Sequence, residues 1–258
     1  MLIFHWEVFM NAVGIIPARY QSTRFPGKPL AKIMEKPMIE WVYKRAKNCK
    51  SFSSLIVATD DSRIFDTVKS FGGNCVMTPS TLPSGTDRIA FAVKEVECDI
   101  VVNIQGDEPL IEPEPLEALI ELFQKDKELQ MATLITPLTN ENELTNPNIV
   151  KTVIDKENFC LYFSRSPIPY LRKMKFCETS FYKHIGIYGY RKDFLLKFAS
   201  MPMGKLEEAE SLEQLRAIEN GIRIKSAIVE NWRGVSVDTP FDIKKVEEEI
   251  KKGGINPP

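Results

Sequence analysis

Apolar and polar positions change rhythm along this chain, and the changes mark its elements. Residues 12–16 form an unbroken apolar run, which predicts a strand buried on both faces. Over residues 37–49 the apolar side chains Ile39, Val42, Tyr43 and Ala46 recur at helical spacing, with a proline near the start. Residues 55–58 are again continuously apolar and end in Thr59-Asp60, predicting a second buried strand. A helix over 61–71 follows, with Ile64, Phe65, Val68 and Phe71 on one face and Gly72-Gly73 as its stop. Residues 75–77 predict a short strand. Ser84 to Arg88 opens a helix that aligns Ile89, Val93 and Val96, and 100–104 is the most hydrophobic strand of the set. Repeated β-α-β with short links predicts a parallel sheet covered by helices on both faces.

The second half has another texture. Residues 131–136, 150–154, 160–165 and 182–190 predict strands with few helices between them, so strands are added to the sheet and it becomes mixed. A projecting lobe is expected at 166–180, a helix over 206–220 closed by Gly221, and a last helix over 240–252. No proline- or serine-rich linker and no internal repeat divides the chain. The expectation is one α/β domain over 1–258.

Composition narrows the function classes. A net charge of −1 over 258 residues gives no global basic field, so nucleic acid is not the expected partner and any anion site must be local. No segment approaches the ~20 apolar residues of a membrane helix, so no membrane partner is expected. Five cysteines without C-x-x-C spacing point to reduced thiols rather than a disulfide framework or a zinc site, and so to the cytoplasm. Residues 1–11 are apolar and aromatic but lack a basic start and a small-residue cleavage site, so they read as an extension and not as a signal peptide.

Candidate chemistry begins where the first strand ends. Arg19, Arg24 and Lys28 are interleaved there with Pro17, Pro26, Gly27 and Pro29, which bar both helix and central strand. A rigid cation-rich loop at the carboxyl end of a strand suits a polyanion, with a triphosphate the leading candidate. The alternative is a solvated surface turn, and the spacing is not that of an ordinary P-loop. Gln105-Gly106-Asp107-Glu108-Pro109 puts an acidic residue directly after a buried strand, where it either holds a divalent cation or caps a turn. Residues 234–240 offer a second aspartate, Asp238, read as ending another strand just before a helix. Ser84-Gly85-Thr86 leaves backbone N–H groups free at a helix start, as anion donors or as a plain N-cap. Arg165 at a strand end could pair with a carboxylate. His184 alternates with apolar residues along a strand, where structural histidines are common. Glu213 and Gln214, read as helical, could bind sugar hydroxyls or simply face solvent.

Together these segments resemble the cytidylyltransferases that activate 3-deoxy-manno-octulosonate (Kdo), the CMP-Kdo synthetases. The matching stretches are IIPARYQSTRFPGKPL, VATDD, PSGTDRIA, VNIQGDEP, NPNIVK, LYFSRSPIPY, KHIGIYGY, LEQLR and GVSVDTPFD, in order from Val13 to Asp242. YFSR, KHIGIYGY and LEQLR point to the Kdo member within the wider nucleotidyltransferase superfamily. The resemblance implies a glycosyltransferase-A-like fold with a mixed, mostly parallel sheet. It implies a homodimer with contacts around 165–200, and synthesis of CMP-Kdo and pyrophosphate from CTP and Kdo for lipopolysaccharide. By position, Arg19, Arg24 and Lys28 correspond to the triphosphate grip, and Ser84, Arg88 and Gln105 to part of the cytidine pocket. Asp107 and Asp238 correspond to the Mg²⁺ aspartates, and with Arg19 and Lys28 they make the catalytic set. Arg165, His184, Tyr188, Glu213 and Gln214 correspond to the sugar-acid pocket. Glu208 departs from the pattern at the rim of that pocket, and residues 1–11 have no expected counterpart. Rival readings are a cytidylyltransferase for a sialic acid or an 8-amino Kdo analogue, a non-catalytic nucleotide sensor, and a glycosyltransferase.

Overall fold

In a computed structural model of the chain, which describes residues 10–22, 24–176 and 180–255, the first apolar run becomes the centre of the parallel half of a sheet. Strand β1 (Ala12–Ala18) leads through a one-turn 3-10 helix (Lys28–Leu30) to a small ribbon, β2 (Lys32–Ile33) and β3 (Lys36–Pro37), and then to α1 (Met38–Ala46). The alternation continues through β4 (Phe52–Thr59), α2 (Ser62–Ser70), β5 (Cys75–Met77), α3 (Gly85–Val93), β6 (Ile100–Asn103) and α4 (Pro113–Lys125). Next come β7 (Met131–Pro137), α5 (Glu141–Leu144), β8 (Lys151–Ile154), β9 (Phe159–Ser164) and β10 (Tyr182–Arg191). The chain finishes with α6 (Lys192–Ala199), α7 (Lys205–Glu210), α8 (Leu215–Glu219), β11 (Ile224–Ile228) and α9 (Asp242–Gly253).

Among the described residues, nine strands form one sheet in the order β5-β4-β1-β6-β10-β7-β11-β9-β8. Strand β1 pairs in parallel with β4 and with β6, which is why its residues are apolar on both faces. The sheet turns mixed at β10, antiparallel to both β6 and β7. The first two residues of β10 also pair with β8, so the second half folds back on itself. One face is covered by α1 and α4, with Val42, Leu119, Ile120 and Phe123 packed on Ile16 and Val102. The other is covered by α3, α6 and α8, with Ile89, Phe194, Phe198 and Leu215 packed near Val13 and Ile15. Burial of each such side chain contributes about 1.5–3 kcal/mol, so both layers are held chiefly by this packing. No helix among the described residues is long and apolar enough to cross a membrane.

Two expectations change here. Residues 206–220 are not one helix: α7 and α8 are separated at Ser211, which takes a left-handed φ of 52°. Long-range bonds impose the break. The Glu210 carboxylate accepts from Ser164 Oγ at 2.6 Å and Arg165 N at 2.9 Å, while the Arg165 guanidinium donates to the Glu210 and Ser211 carbonyls. Across the break, buried Arg216 grips buried Glu207 with two bonds of 2.7 and 2.6 Å. Glu207→Ala removes both short bonds and leaves Arg216 with the Phe198 carbonyl at 3.4 Å and Glu213 at 3.6 Å, and is expected to cost about 3 kcal/mol in denaturant unfolding.

Residues 234–238 are likewise not a strand. Val237 packs with Trp41, Val246 and Ile250 in a third core cluster, and its N–H donates to the Asp107 carbonyl at 2.9 Å. That backbone is committed to the β6 loop and not to a ladder. Helices α4 and α6 and strand β11 go beyond the elements read from the sequence. Residues 1–9 of the expected extension and Cys177 within the expected lobe lie outside the described residues; the described part of 166–176 exposes Tyr170 and Met174.

Candidate active site

A cleft of about 1130 Å³ opens at the carboxyl ends of β1 and β6 and against one end of β10. Nine of the thirteen sequence-predicted residues line it: Arg24, Gln105, Asp107, Arg165, His184, Tyr188, Glu213, Gln214 and Asp238. Arg19, Lys28, Ser84 and Arg88 do not.

The cation loop is bent to meet the aspartates. Gly27, at φ +73°, makes the tight turn into the 3-10 helix, and its N–H donates to the Tyr20 carbonyl at 2.8 Å. A Cβ on Gly27 would press on the Tyr20 ring, itself stacked under the Arg63 guanidinium of α2. The turn delivers Lys28 Nζ to 2.6 Å from Asp107 Oδ2, 2.9 Å from the Val237 carbonyl and 3.9 Å from Asp238 Oδ1. Arg24 reaches Asp238 Oδ1 at 3.0 Å. Gly106 lets the β6 loop pass against β1, since a Cβ there would sit 3.0 Å from the Pro17 carbonyl. Two carboxylates from distant segments thus share one ammonium. That donor set suits a divalent cation completed by phosphate oxygens and water. No group of three or more His, Cys, Asp or Glu side chains among the described residues forms a metal cage.

Glu108, to which the sequence assigns no role, also lines the cleft. It is buried beside Asp107, accepts from Ser236 Oγ, and is pushed up to about 8 mainly by burial. Its Oε2 has no hydrogen-bond partner among the described residues. Its position next to Asp107 in the QGDEP motif was the available signal.

The opposite half of the cleft depends on a bulge in β10. Register against β7 shifts between Ile185 and Tyr188, and the Gly186 carbonyl there accepts from Gln105 Nε2 at 2.8 Å. Thr133 Oγ1 donates to the Ile187 carbonyl and lies 2.9 Å from His184 Nε2. The imidazole also meets the rings of Phe163 and Tyr188, each at 5.1 Å. Burial holds it down at about 3 and holds the Tyr188 phenol well above its ordinary range, so both are neutral at working pH. Between the ordinary 6.5 and about 3, the unfolded chain binds a proton at His184 that the folded chain refuses, so acidification favours unfolding. Raised Glu108 acts in the opposite sense over part of this range, so the test is a difference: the melting temperature of His184→Phe relative to wild type is expected to rise as pH falls from about 6.5 toward 4, as read by paired thermal scans.

The α7–α8 break sets Glu213 in a turn and Gln214 at the start of α8, not on a helix face as expected. Glu213 accepts from Thr86 Oγ1, and burial raises its carboxyl. Gln214 is 5% exposed, with Nε2 unpartnered among the described residues. Arg165 differs from the simple expectation of a free carboxylate fork. Its guanidinium donates to the carbonyls of Glu210, Pro147 and Ser211 at 2.7, 2.9 and 3.2 Å, which leaves part of its five-donor set for a ligand.

Arg88 departs furthest from its expected place. It is fully buried and spends its guanidinium on Asp60 at 2.8 Å and on Thr78, so it supports the wall rather than facing a base. Burial, with Arg19 close by, lowers its basicity. Ser84 forms a capping box with Asp87 at the start of α3, and Arg19 donates to the Leu82 carbonyl just before it.

A cation loop paired directly with two aspartates beside a cleft at the carboxyl ends of parallel strands is the layout of an α/β nucleotidyltransferase. A sequence model described as cytidylyltransferase matches residues 13–224. The 3-deoxy-manno-octulosonate cytidylyltransferase of Thermodesulfovibrio yellowstonii is 51% identical, over 93% of this chain and 98% of its own. An 8-amino-3,8-dideoxy-manno-octulosonate cytidylyltransferase of Shewanella baltica is 48% identical, over 93% and 99%. A solved CMP:2-keto-3-deoxy-manno-octonic acid synthetase in complex with CTP superposes with a TM-score of 0.89 at 43% identity, over 94% of this chain and 99% of that one. The chain belongs to the cytidylyltransferase family, within its CMP-Kdo synthetase branch.

Proposed function

We propose that the chain transfers CMP from CTP to the anomeric hydroxyl of Kdo, giving CMP-Kdo and pyrophosphate. One observation carries the mechanism: Asp107 and Asp238, both within reach of the Lys28 ammonium behind them, line one cleft together with Arg165, His184, Tyr188, Glu213 and Gln214. The C2 oxygen forms a bond to the α-phosphorus, the bond to the β-phosphate oxygen breaks, and the hydroxyl proton passes to solvent. Position and charge carry such a reaction, because both partners are anions that repel until the site offsets them.

In this reading Arg19, Arg24 and Lys28 hold the departing β- and γ-phosphates, and Gln105, steadied on Gly186, lies along the nucleotide side. Asp107 and Asp238 would hold Mg²⁺, which when bound supplies positive charge at the phosphates and makes the attacking hydroxyl more acidic. Neutral His184 and the protonated Tyr188 hydroxyl orient the sugar by hydrogen bonds rather than by taking its proton. Arg165 directs its remaining N–H groups at the sugar carboxylate. Ser84 and Arg88 act behind the nucleotide wall. The protein is a single-domain homodimer of the cytoplasm, with 165–200 contributing to the dimer, and its product serves lipopolysaccharide synthesis.

The Shewanella relatives keep an 8-amino sugar in view. Competition of equimolar Kdo and 8-amino-Kdo for limiting CTP and Mg²⁺, with nucleotide sugars resolved by mass, tests the choice. CMP-Kdo is expected to dominate; dominance of the amino product would reassign the sugar.

A further inference from the structure

The NPNIVK stretch ends in Lys151, a charged side chain for which the reaction has no direct use and which nevertheless has 0% exposure. Its ammonium has three N–H bonds to give. They go to three backbone carbonyls: Asn146 at 3.0 Å, Ile149 at 2.8 Å, and Arg165. Lys151 also stands where β8 meets both neighbours, opposite Ser164 of β9 and Lys183 of β10. The next backbone bond inward runs from His184 N to the Val150 carbonyl at 2.8 Å. One buried cation therefore ties the 146–150 loop to the end of β9, beside the strand that carries His184.

Arg165 continues the connection. It donates to Pro147 on the loop and to Glu210 and Ser211 at the α7–α8 break. The Glu210 carboxylate receives Ser164 Oγ and Arg165 N; burial lowers the basicity of the Lys151 ammonium, and the Glu210 charge offsets part of that while Arg165 adds to it. Asn148, Ile149 and Val150 line one side of the cleft, and Ser211 to Gln214 line another. A buried ammonium satisfied only by carbonyls is costly unless every bond is made, so the loop is held in a single arrangement.

We infer that Lys151 and Glu210 are positioning residues for the sugar half of the cleft. Through Arg165 they fix the distance between the 146–150 loop and the 211–214 turn, and so the fit of the sugar acid. The nucleotide half, built on β1 and β6, does not depend on them. This inference rests on the proposed Kdo reading.

The test uses the purified full chain as wild type, Lys151→Met and Glu210→Gln, with pyrophosphate release measured against Kdo at saturating CTP and against CTP at saturating Kdo. The KM for Kdo is expected to rise at least about tenfold in each variant, with the KM for CTP within about twofold of wild type. Amide exchange should quicken at 146–150 and 211–214 and stay unchanged in β1 and β6. Equal rises in both KM values, or no rise in a folded variant, would overturn the inference. If Lys151→Met fails to fold, Glu210→Gln, which keeps the three Lys151 bonds and the side-chain volume, decides by the same criterion. Wild-type protein inert toward Kdo would instead refute the Kdo reading itself.

Discussion

Asp107→Asn is expected to lower turnover by at least about a hundredfold while the melting temperature stays near that of wild type. Asparagine has the shape of aspartate, and its carbonyl oxygen can still accept from Lys28 Nζ, now 2.6 Å from Oδ2. The bond from Val237 N reaches the Asp107 backbone carbonyl, which the substitution leaves in place. What disappears is one of the two negative charges beside the Lys28 ammonium, and with it half of the carboxylate pair that would hold Mg²⁺ in the proposed reaction. A preorganised charge in a cleft acts mainly on the transition state, so the loss falls on kcat more than on fold. Steady-state pyrophosphate release beside a thermal scan checks this. Near-wild-type turnover would remove Asp107 from the mechanism.

Lys28→Met is expected to lose roughly 10²–10³ in turnover and to weaken CTP binding. Methionine keeps most of the side chain's length and packing, so the contribution of the ammonium is isolated. That ammonium lies within 4 Å of both aspartates and donates to the Val237 carbonyl, with only 18% of its side chain exposed. Its removal leaves Asp107 facing Asp238 with Arg24 as the remaining cation on the pair, and Arg24 is 63% exposed and so better screened by solvent. In the proposed reaction it also removes a positive charge that would hold the departing pyrophosphate. Lys28→Arg should recover only part of the rate, since a planar fork cannot occupy the pocket of a compact ammonium. Full recovery by arginine would mean that charge alone, without placement, suffices.

The parts of this site that were legible in the sequence are those whose causes are local. Prolines and glycines around Arg19, Arg24 and Lys28 declare a rigid loop after β1, and Gly106-Asp107 declares a carboxylate at the end of β6. The parts that were not legible have distant causes. The helical pattern over 206–220 is broken by Ser164 and Arg165, and nothing near Ser211 announces them. Arg88 looks like a ligand residue at a helix start until Asp60 and Thr78 are found beside it in the core. The β10 bulge that aims His184 and Tyr188 is held by Gln105, just past the end of β6, and by Thr133, inside β7. Asp238 is legible as an acidic residue before a helix and lines the cleft, although no strand leads to it. There the residue type carried the information and the periodicity misled.

The two halves of the cleft are expected to join CMP to a Kdo hydroxyl. Phosphorus NMR of a mixture of CTP, Kdo, Mg²⁺ and the enzyme tests it most directly. The three CTP resonances should give way to one phosphodiester signal and one pyrophosphate signal in equal molar amounts, only when Kdo is present. Intact CTP, or its conversion to CDP and inorganic phosphate, would contradict the account.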